Sequence, residues 1–370
     1  MTLAPGLLPI GLRDRLPPQA EAASRLLHRV IVAIGRHGYE RVAPPLAEFE
    51  DELVGRLKRT RPQDLFRFVD PASQRSLALR PDMTAQVGRI AATRMGHRPR
   101  PLRLAYGGQV MKLRASQLRP ERELIQTGAE LIGSDSVLAT IELLSVAIEA
   151  LETAGVRGIT VDLTLPDLIE TLAAGPLPLD ADRLAEVRTM LDAKDAGGIT
   201  GLGATDYLPL VSAAGPAARA LPMLRQLGLD NLTRRLDAVA TILERLGDRA
   251  TFTLDPTERH GFEYQSWIGF SLFGEGLSGE IGRGGTYTIL HADGREEAAI
   301  GFSLYIDPLV DAGLGTEPRR RVFVPLGTDE GTAARLRGDG WTTIAALAET
   351  DDAATLGCSH RLEGGVPVAL

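Results

Sequence analysis

Arg80-Pro81-Asp82-Met83-Thr84, an apolar run over 102–112, and then Arg122-Glu123-Leu124-Ile125-Gln126-Thr127-Gly128-Ala129-Glu130 form the stretch whose reading decides the fold. Asp82 follows a proline at an expected helix start. A carboxylate there either caps free N–H groups or offers itself to a cation. Residues 102–111 and 123–133 read as two successive strands. Gln126 and Glu130 stand four apart in the second strand and therefore project from one face. An amide and a carboxylate flanked by Leu124 and Gly128 make either the polar floor of a pocket or a solvated sheet face. In the first case the bare Gly128 leaves room for a ligand to approach the backbone, and Asp82, Gln126 and Glu130 suit a small cation.

Upstream, Leu26, Leu27, Val30, Ile31 and Ile34 recur at helical spacing after Pro17-Pro18, which predicts a helix to Arg36 ended by Gly38 in a left-handed cap. Residues 39–45 are expected to be extended, because a residue before proline avoids the α region. A further helix is expected from Pro81 or Asp82 to Met95. Ser134-Asp135 is a candidate N-cap for a helix to about 153. Residues 158–165 read as a strand, and 167–248 as a helical insert. Strand character returns at 250–254, 262–273, 282–287 and 299–306. Beyond a polar linker at 316–320, residues 322–347 read as a small βαβ unit. Strands, a helical insert and more strands of one sheet predict an α+β class, with an antiparallel sheet flanked by helices rather than a doubly wound one. The expected domains are 1–315 and a small α/β remnant at 316–370.

Composition narrows the function. At 370 residues the chain can bury two or three cores, and 44% hydrophobic with 24% charged residues is ordinary for a globular protein. No apolar run reaches membrane-spanning length, and the N-terminus lacks the basic segment of a secretory leader. A single cysteine, Cys358, excludes an internal disulfide and fits a reducing cytoplasm. Six scattered histidines show no metal-ligand spacing, no phosphate loop is present, and no cofactor is expected. The net charge of −7 argues against a nucleic-acid surface. From Arg321 to Leu370 four arginines stand against seven acidic residues, so the tail has a net charge of −3.

Two more segments bear on the site. Arg259-His260-Gly261-Phe262-Glu263-Tyr264 is a mixed polar and aromatic run, in which Tyr264 is either core or pocket. Gly282-Arg283-Gly284-Gly285-Thr286-Tyr287 is either a turn or bulge, or a bared backbone that lines a pocket. No serine or cysteine nucleophile motif accompanies His260.

Taken together, these motifs resemble the histidyl-tRNA synthetase core over most of residues 8–310. Arg80-Pro81-Asp82-Met83-Thr84 resembles that family's Arg-Pro-Glu-Gly-Thr element, and 102–112 with 122–130 resembles its second class II motif. Residues 261–270 resemble the histidine-specific strand, and 284–302 lead into the third motif. The resemblance implies a class II aminoacyl-tRNA synthetase-like core in which Asp82, Thr84, Gln126, Glu130 and Tyr264 hold histidine, with Lys112 and Tyr287 in the same site.

The departures point away from catalysis. The second motif's arginine falls on Lys112, a point charge without a bidentate fork. The third motif's closing arginine falls on Pro308, and the arginine of the histidine-specific strand falls on His260, one step from Arg259. Loss of one preorganised cation at a reacting centre costs roughly a hundredfold to a thousandfold. With its short acidic tail, the chain is similar to the regulatory-subunit family of ATP phosphoribosyltransferase. That resemblance implies no catalytic residues, a short-form catalytic subunit as partner, L-histidine as effector and a homodimer within a hetero-octamer, with no tRNA and no membrane. An atypical active histidyl-tRNA synthetase using Lys112 and Arg259 is the alternative, and a histidine-sensing scaffold for another partner is a third.

Overall fold

A computed structural model describes residues 7–55, 65–114, 120–258 and 265–370. The chain divides into two compact units, Met1–Gly315 and Thr316–Leu370. In the first unit, α1 (Gln19–Arg36) buries Ala22, Leu26, Val30 and Ile34 and leaves its other side to solvent. Gly38 follows with φ +82°, a conformation that glycine adopts without Cβ strain. Of the extended stretch at 39–45, only β1 (Glu40–Arg41) is a strand. Then come β2 (Ala47–Phe49), α2 (Glu50–Val54), β3 (Phe66–Val69) and β4 (Ser76–Leu79). The β2-β4-β3 sheet is antiparallel. Its strands are too short to display a period, which is why the sequence does not announce them.

The helix expected from Pro81 or Asp82 starts slightly later, as α3 (Thr84–Thr93). The two long strands are β5 (Leu102–Met111) and β6 (Glu123–Ile132). Ser136, rather than Ser134 or Asp135, caps α4 (Val137–Thr153), its hydroxyl accepting from the Ala139 N–H at 3.2 Å. After β7 (Thr160–Thr164) come the insert helices α5 (Leu168–Ala173), α6 (Ala181–Asp192), α7 (Ala196–Gly201) and α8 (Leu208–Ser212). The two-residue β8 (Gly215–Pro216) leads into α9 (Ala217–Arg225) and α10 (Asp230–Leu246). The unit closes with β9 (Thr251–Asp255), β10 (Gln265–Phe273), β11 (Gly282–Leu290), β12 (Glu296–Tyr305) and α11 (Ile306–Asp311).

One nine-stranded sheet organises this unit, in the order β1-β5-β6-β12-β11-β10-β7-β9-β8. It is antiparallel from β5 through β7, with parallel pairs only at β1–β5 and β7–β9. Such a mixed, mostly antiparallel sheet is the α+β arrangement rather than a doubly wound one. Alternate residues face opposite ways. Ala105, Ala129, Leu131, Phe302, Leu304, Phe270 and Val161 turn to the main apolar core, which includes α1 and α4. Residues one step along turn to the other face, part of which packs under Met83, Val87 and Ala91 around α3.

In the second unit, β13 (Arg321–Val324) and β14 (Thr342–Ala345) run parallel around α12 (Glu330–Gly338), the βαβ arrangement expected. A hairpin of β15 (His360–Glu363) and β16 (Val366–Ala369), absent from the sequence reading, extends that sheet. It turns through Gly364 and Gly365, whose φ values of +56° and +82° suit a tight hairpin turn. No helix among the described residues is long and apolar enough to cross a membrane.

Candidate functional site

Register arranges the sheet face beneath α3 in rows. In one row, Gln126 lies opposite Gly108 and Tyr305. In the next, Gly128 lies between Tyr106 and Ser303, and Ser303 opposite Arg283. In the third, Glu130 lies opposite Gly301, Gly301 opposite Gly285, and Gly285 opposite Gly269. Glu130 thus adjoins a row of three cross-strand glycines. Where the sequence left a turn or bulge open for Gly282–Gly285, the structure has strand interior, and Gly285 belongs to this bare row.

Gln126 and Glu130 are each only 1% exposed, which rules out the solvated face. Gln126 Oε1 accepts the Met83 N–H at 3.0 Å, and its Nε2 donates to Asp82 Oδ2 at 2.5 Å and Ser303 Oγ at 2.7 Å. Asp82 Oδ1 accepts the Thr84 N–H at 2.7 Å. Asp82 therefore satisfies an N–H at the helix start, the first of its two readings, while its other oxygen accepts from Gln126. Tyr106 donates to Glu130 Oε1 at 3.0 Å and Tyr287 to Oε2 at 2.8 Å, and the Thr84 hydroxyl also bonds this carboxylate. Tyr106 Oη meets Ser303 Oγ at 3.0 Å, which joins the Glu130 and Gln126 ends into one network.

One expectation is corrected. A Cβ on Gly128 would stand 2.0 Å from the Phe302 carbonyl oxygen and 2.8 Å from the Tyr106 hydroxyl. Protein fills the space over Gly128, so this glycine admits Tyr106 and not a ligand. The glycine that gives Glu130 its place is Gly301, where a Cβ would stand 1.5 Å from Oε2.

Burial pushes the Glu130 carboxyl up to about 8, opposed by the Tyr287 hydroxyl and aided by the nearby Asp82 charge. Among the described residues, Glu130 bonds to hydroxyls and forms no ion pair. A buried carboxylate so placed gains most from a cation that arrives with its own hydrogen-bond donors. Arg80 does not supply it: its guanidinium donates to the carbonyls of Gln109, Pro44 and Pro45 and fastens the start of α3 to β5. Lys112 sits at the end of β5, its Nζ 5.2 Å from the centroid of the Tyr305 ring, beside the Gln126 row rather than the Glu130 row.

The structure thus brings together Asp82, Thr84, Gln126, Glu130 and Tyr287, with Lys112 at the margin. Tyr264, with Arg259 and His260, lies outside the described residues. Sequence reasoning missed Tyr106 and Ser303, which tie the network together. Their one signal was a polar group at the same strand parity as the glycines and Gln126. Among the described residues no group of three or more His, Cys, Asp or Glu could hold a metal ion.

At the far end of β6 and β12 a pocket of about 380 Å³ is lined by Glu121, Leu124, Tyr305, Asp307, Pro308 and Asp311, among others. Asp307 is buried, pairs with Arg15 and accepts the Ile125 N–H at 2.7 Å. Burial raises its pKa above the usual carboxylate range. Each of the three carboxyl groups around this opening has an arginine beside it, Asp307 with Arg15, and Asp311 and Glu121 with Arg13.

A family profile described as histidyl-tRNA synthetase matches residues 11–309. An ATP phosphoribosyltransferase regulatory subunit from Rhodospirillum centenum is 43% identical, with 97% of this chain and 95% of that protein aligned. One from Paramagnetospirillum magneticum is 42% identical, over 96% of each. Among solved structures, an ATP phosphoribosyltransferase regulatory subunit/histidyl-tRNA synthetase from Bacillus halodurans superposes with a TM-score of 0.81 at 25% identity, covering 96% of this chain and 97% of that one. Histidyl-tRNA synthetase from Nostoc sp. PCC 7120 has the same fold, with a TM-score of 0.75 at 15% identity, over 98% of this chain and 91% of that one. The class II synthetase-like fold and near full-length identity together place this chain in the ATP phosphoribosyltransferase regulatory subunit family.

Proposed function

We propose that this chain is a non-catalytic subunit that enables a short-form ATP phosphoribosyltransferase catalytic subunit and holds L-histidine as its feedback effector. The observation that carries the effector reading is Glu130, buried among the hydroxyls of Tyr106, Tyr287 and Thr84 beside the Asp82–Gln126 pair. The ammonium group of histidine pairs there with Glu130 and Asp82. The net −3 of residues 321–370 supports the absence of tRNA binding. By family resemblance the chain works as a homodimer within a hetero-octamer. Histidine inhibits only by favouring one assembly state over another, a coupling of about 1–3 kcal/mol, or roughly five- to 150-fold.

Asp82→Ala removes one member of a charged contact and should weaken histidine binding by about 2–5 kcal/mol while leaving stimulation of the catalytic subunit intact. Calorimetry showing unchanged histidine affinity would overturn the pocket. The active-synthetase alternative makes a separate demand. Histidine-driven ATP–pyrophosphate exchange by the isolated chain would replace the regulatory reading, and its absence together with stimulation of a short phosphoribosyltransferase upholds it.

A further inference from the structure

We infer that Arg80 is the positioning residue of this site, holding Asp82 against Gln126 for the ligand, an assignment that rests on the histidine pocket proposed above. The joint from β4 to α3 has few tethers of its own. Pro81 offers no N–H, and the N–H groups of Met83 and Thr84 go to Gln126 Oε1 and Asp82 Oδ1, which are side chains of the site itself. Arg80 anchors the joint from outside the network. Its N–H donates to the Leu46 carbonyl at 3.1 Å, and its own carbonyl accepts the Met111 N–H at 2.9 Å. Its guanidinium donates from Nε to the Gln109 carbonyl at 2.7 Å and from Nη1 to the Pro44 carbonyl at 2.8 Å. Gln86, in the first turn of α3, donates to the Pro45 carbonyl at 2.7 Å, so the same proline pair is gripped from both ends of the joint.

The guanidinium also reaches a row of the site. Nη2 lies over Gly108, where a Cβ would stand 2.5 Å from it, and Gly108 is the cross-strand partner of Gln126. Arg80 is buried, and its donors diverge in one rigid plane, which lets a single side chain hold the Gln109 carbonyl of β5 and the Pro44 carbonyl at once. An ammonium group on a flexible stem has no such fork. Asp82 follows this anchor across Pro81 and meets Gln126 Nε2 at 2.5 Å. A displaced guanidinium therefore draws Asp82 away from Gln126, and with it the carboxylate that meets the ligand's ammonium group.

The test is a double-mutant cycle on the full chain, read by calorimetry with L-histidine, and thermal unfolding checks that each variant folds. Arg80→Lys keeps the charge and removes the fork. Gly108→Ala keeps the guanidinium and pushes it aside, and it decides alone where Arg80→Lys does not fold. Each should lower histidine affinity about ten- to a hundredfold, the scale of losing hydrogen bonds made by a charged group. Each loss should shrink to within about twofold when Asp82→Asn is already present, because a residue that acts through Asp82 then has nothing left to position. Unchanged affinity in either variant that folds, or losses that add in full to that of Asp82→Asn, overturns the Arg80 assignment and leaves the histidine pocket standing. A wild type that does not bind histidine, or binding indifferent to Asp82→Asn, overturns the pocket and the assignment with it.

Discussion

The two faces of the central sheet are built from the same strands, often from neighbouring residues, yet they do opposite work. On β6, Ala129 and Leu131 enter the apolar core while Gly128 and Glu130 turn to the network beneath α3. On β12, Phe302 and Leu304 enter the core while Gly301 and Ser303 turn away from it. One face is stabilised by burying carbon, at roughly 25 cal/mol per Å². The other holds a buried carboxylate whose desolvation costs stability. A strand of period two allows this division without any irregularity, and the fold keeps a polar site on the back of an apolar core.

Three substitutions test how separable the faces are. Phe302→Ala should be the most disruptive, losing about 3–5 kcal/mol in urea denaturation as a large buried side chain is deleted. Histidine affinity per folded molecule should be unchanged. A parallel fall in affinity would show that the faces are coupled.

Glu130→Gln should do the reverse. The folded protein keeps the Glu130 proton to about pH 8, whereas the unfolded chain releases it near 4.5. Between these values the folded state binds more protons, so stability falls as pH rises through that window. At about 1.4 kcal/mol per unit, the Glu130 contribution amounts to a few kcal/mol. Glu130→Gln should flatten the dependence, leave the protein more stable at pH 8 and abolish histidine binding. Calorimetry in buffers of different ionisation enthalpy should find proton release on histidine binding by the wild type near neutral pH and none tied to residue 130 in the variant. An unchanged stability–pH slope would remove Glu130 from this role.

Ser303→Ala should have the smallest effect. Gln126 Nε2 and the Tyr106 hydroxyl each lose a partner in a buried setting, a cost of about 1–3 kcal/mol. Histidine affinity should fall with it, because the serine joins the two ends of the network. A loss of stability with affinity preserved would make Ser303 a packing residue only.

Much of the architecture was legible because the long elements announce themselves. The stripe of α1 and the β5–β6 pair fall close to where periodicity put them. The short β2-β4-β3 sheet and the β15–β16 hairpin did not, since three or four residues carry no measurable period. Asp82, Gln126 and Glu130 stood out as polar groups at a helix start and on one strand face. Tyr106 could not be told from a core aromatic, because its ring packs as one and only its hydroxyl reaches Glu130.

What the sequence by itself determined is the alternation along each strand and the polar identity of residues 126 and 130. Those are local properties, set by side-chain chemistry and a period of two. Only the tertiary structure decided that Gly128 makes room for Tyr106, that Gly301 carries the Glu130 carboxylate, and that Arg283 comes to lie across from Ser303. Each depends on register between strands distant in sequence, where a slip of one residue would exchange the two faces.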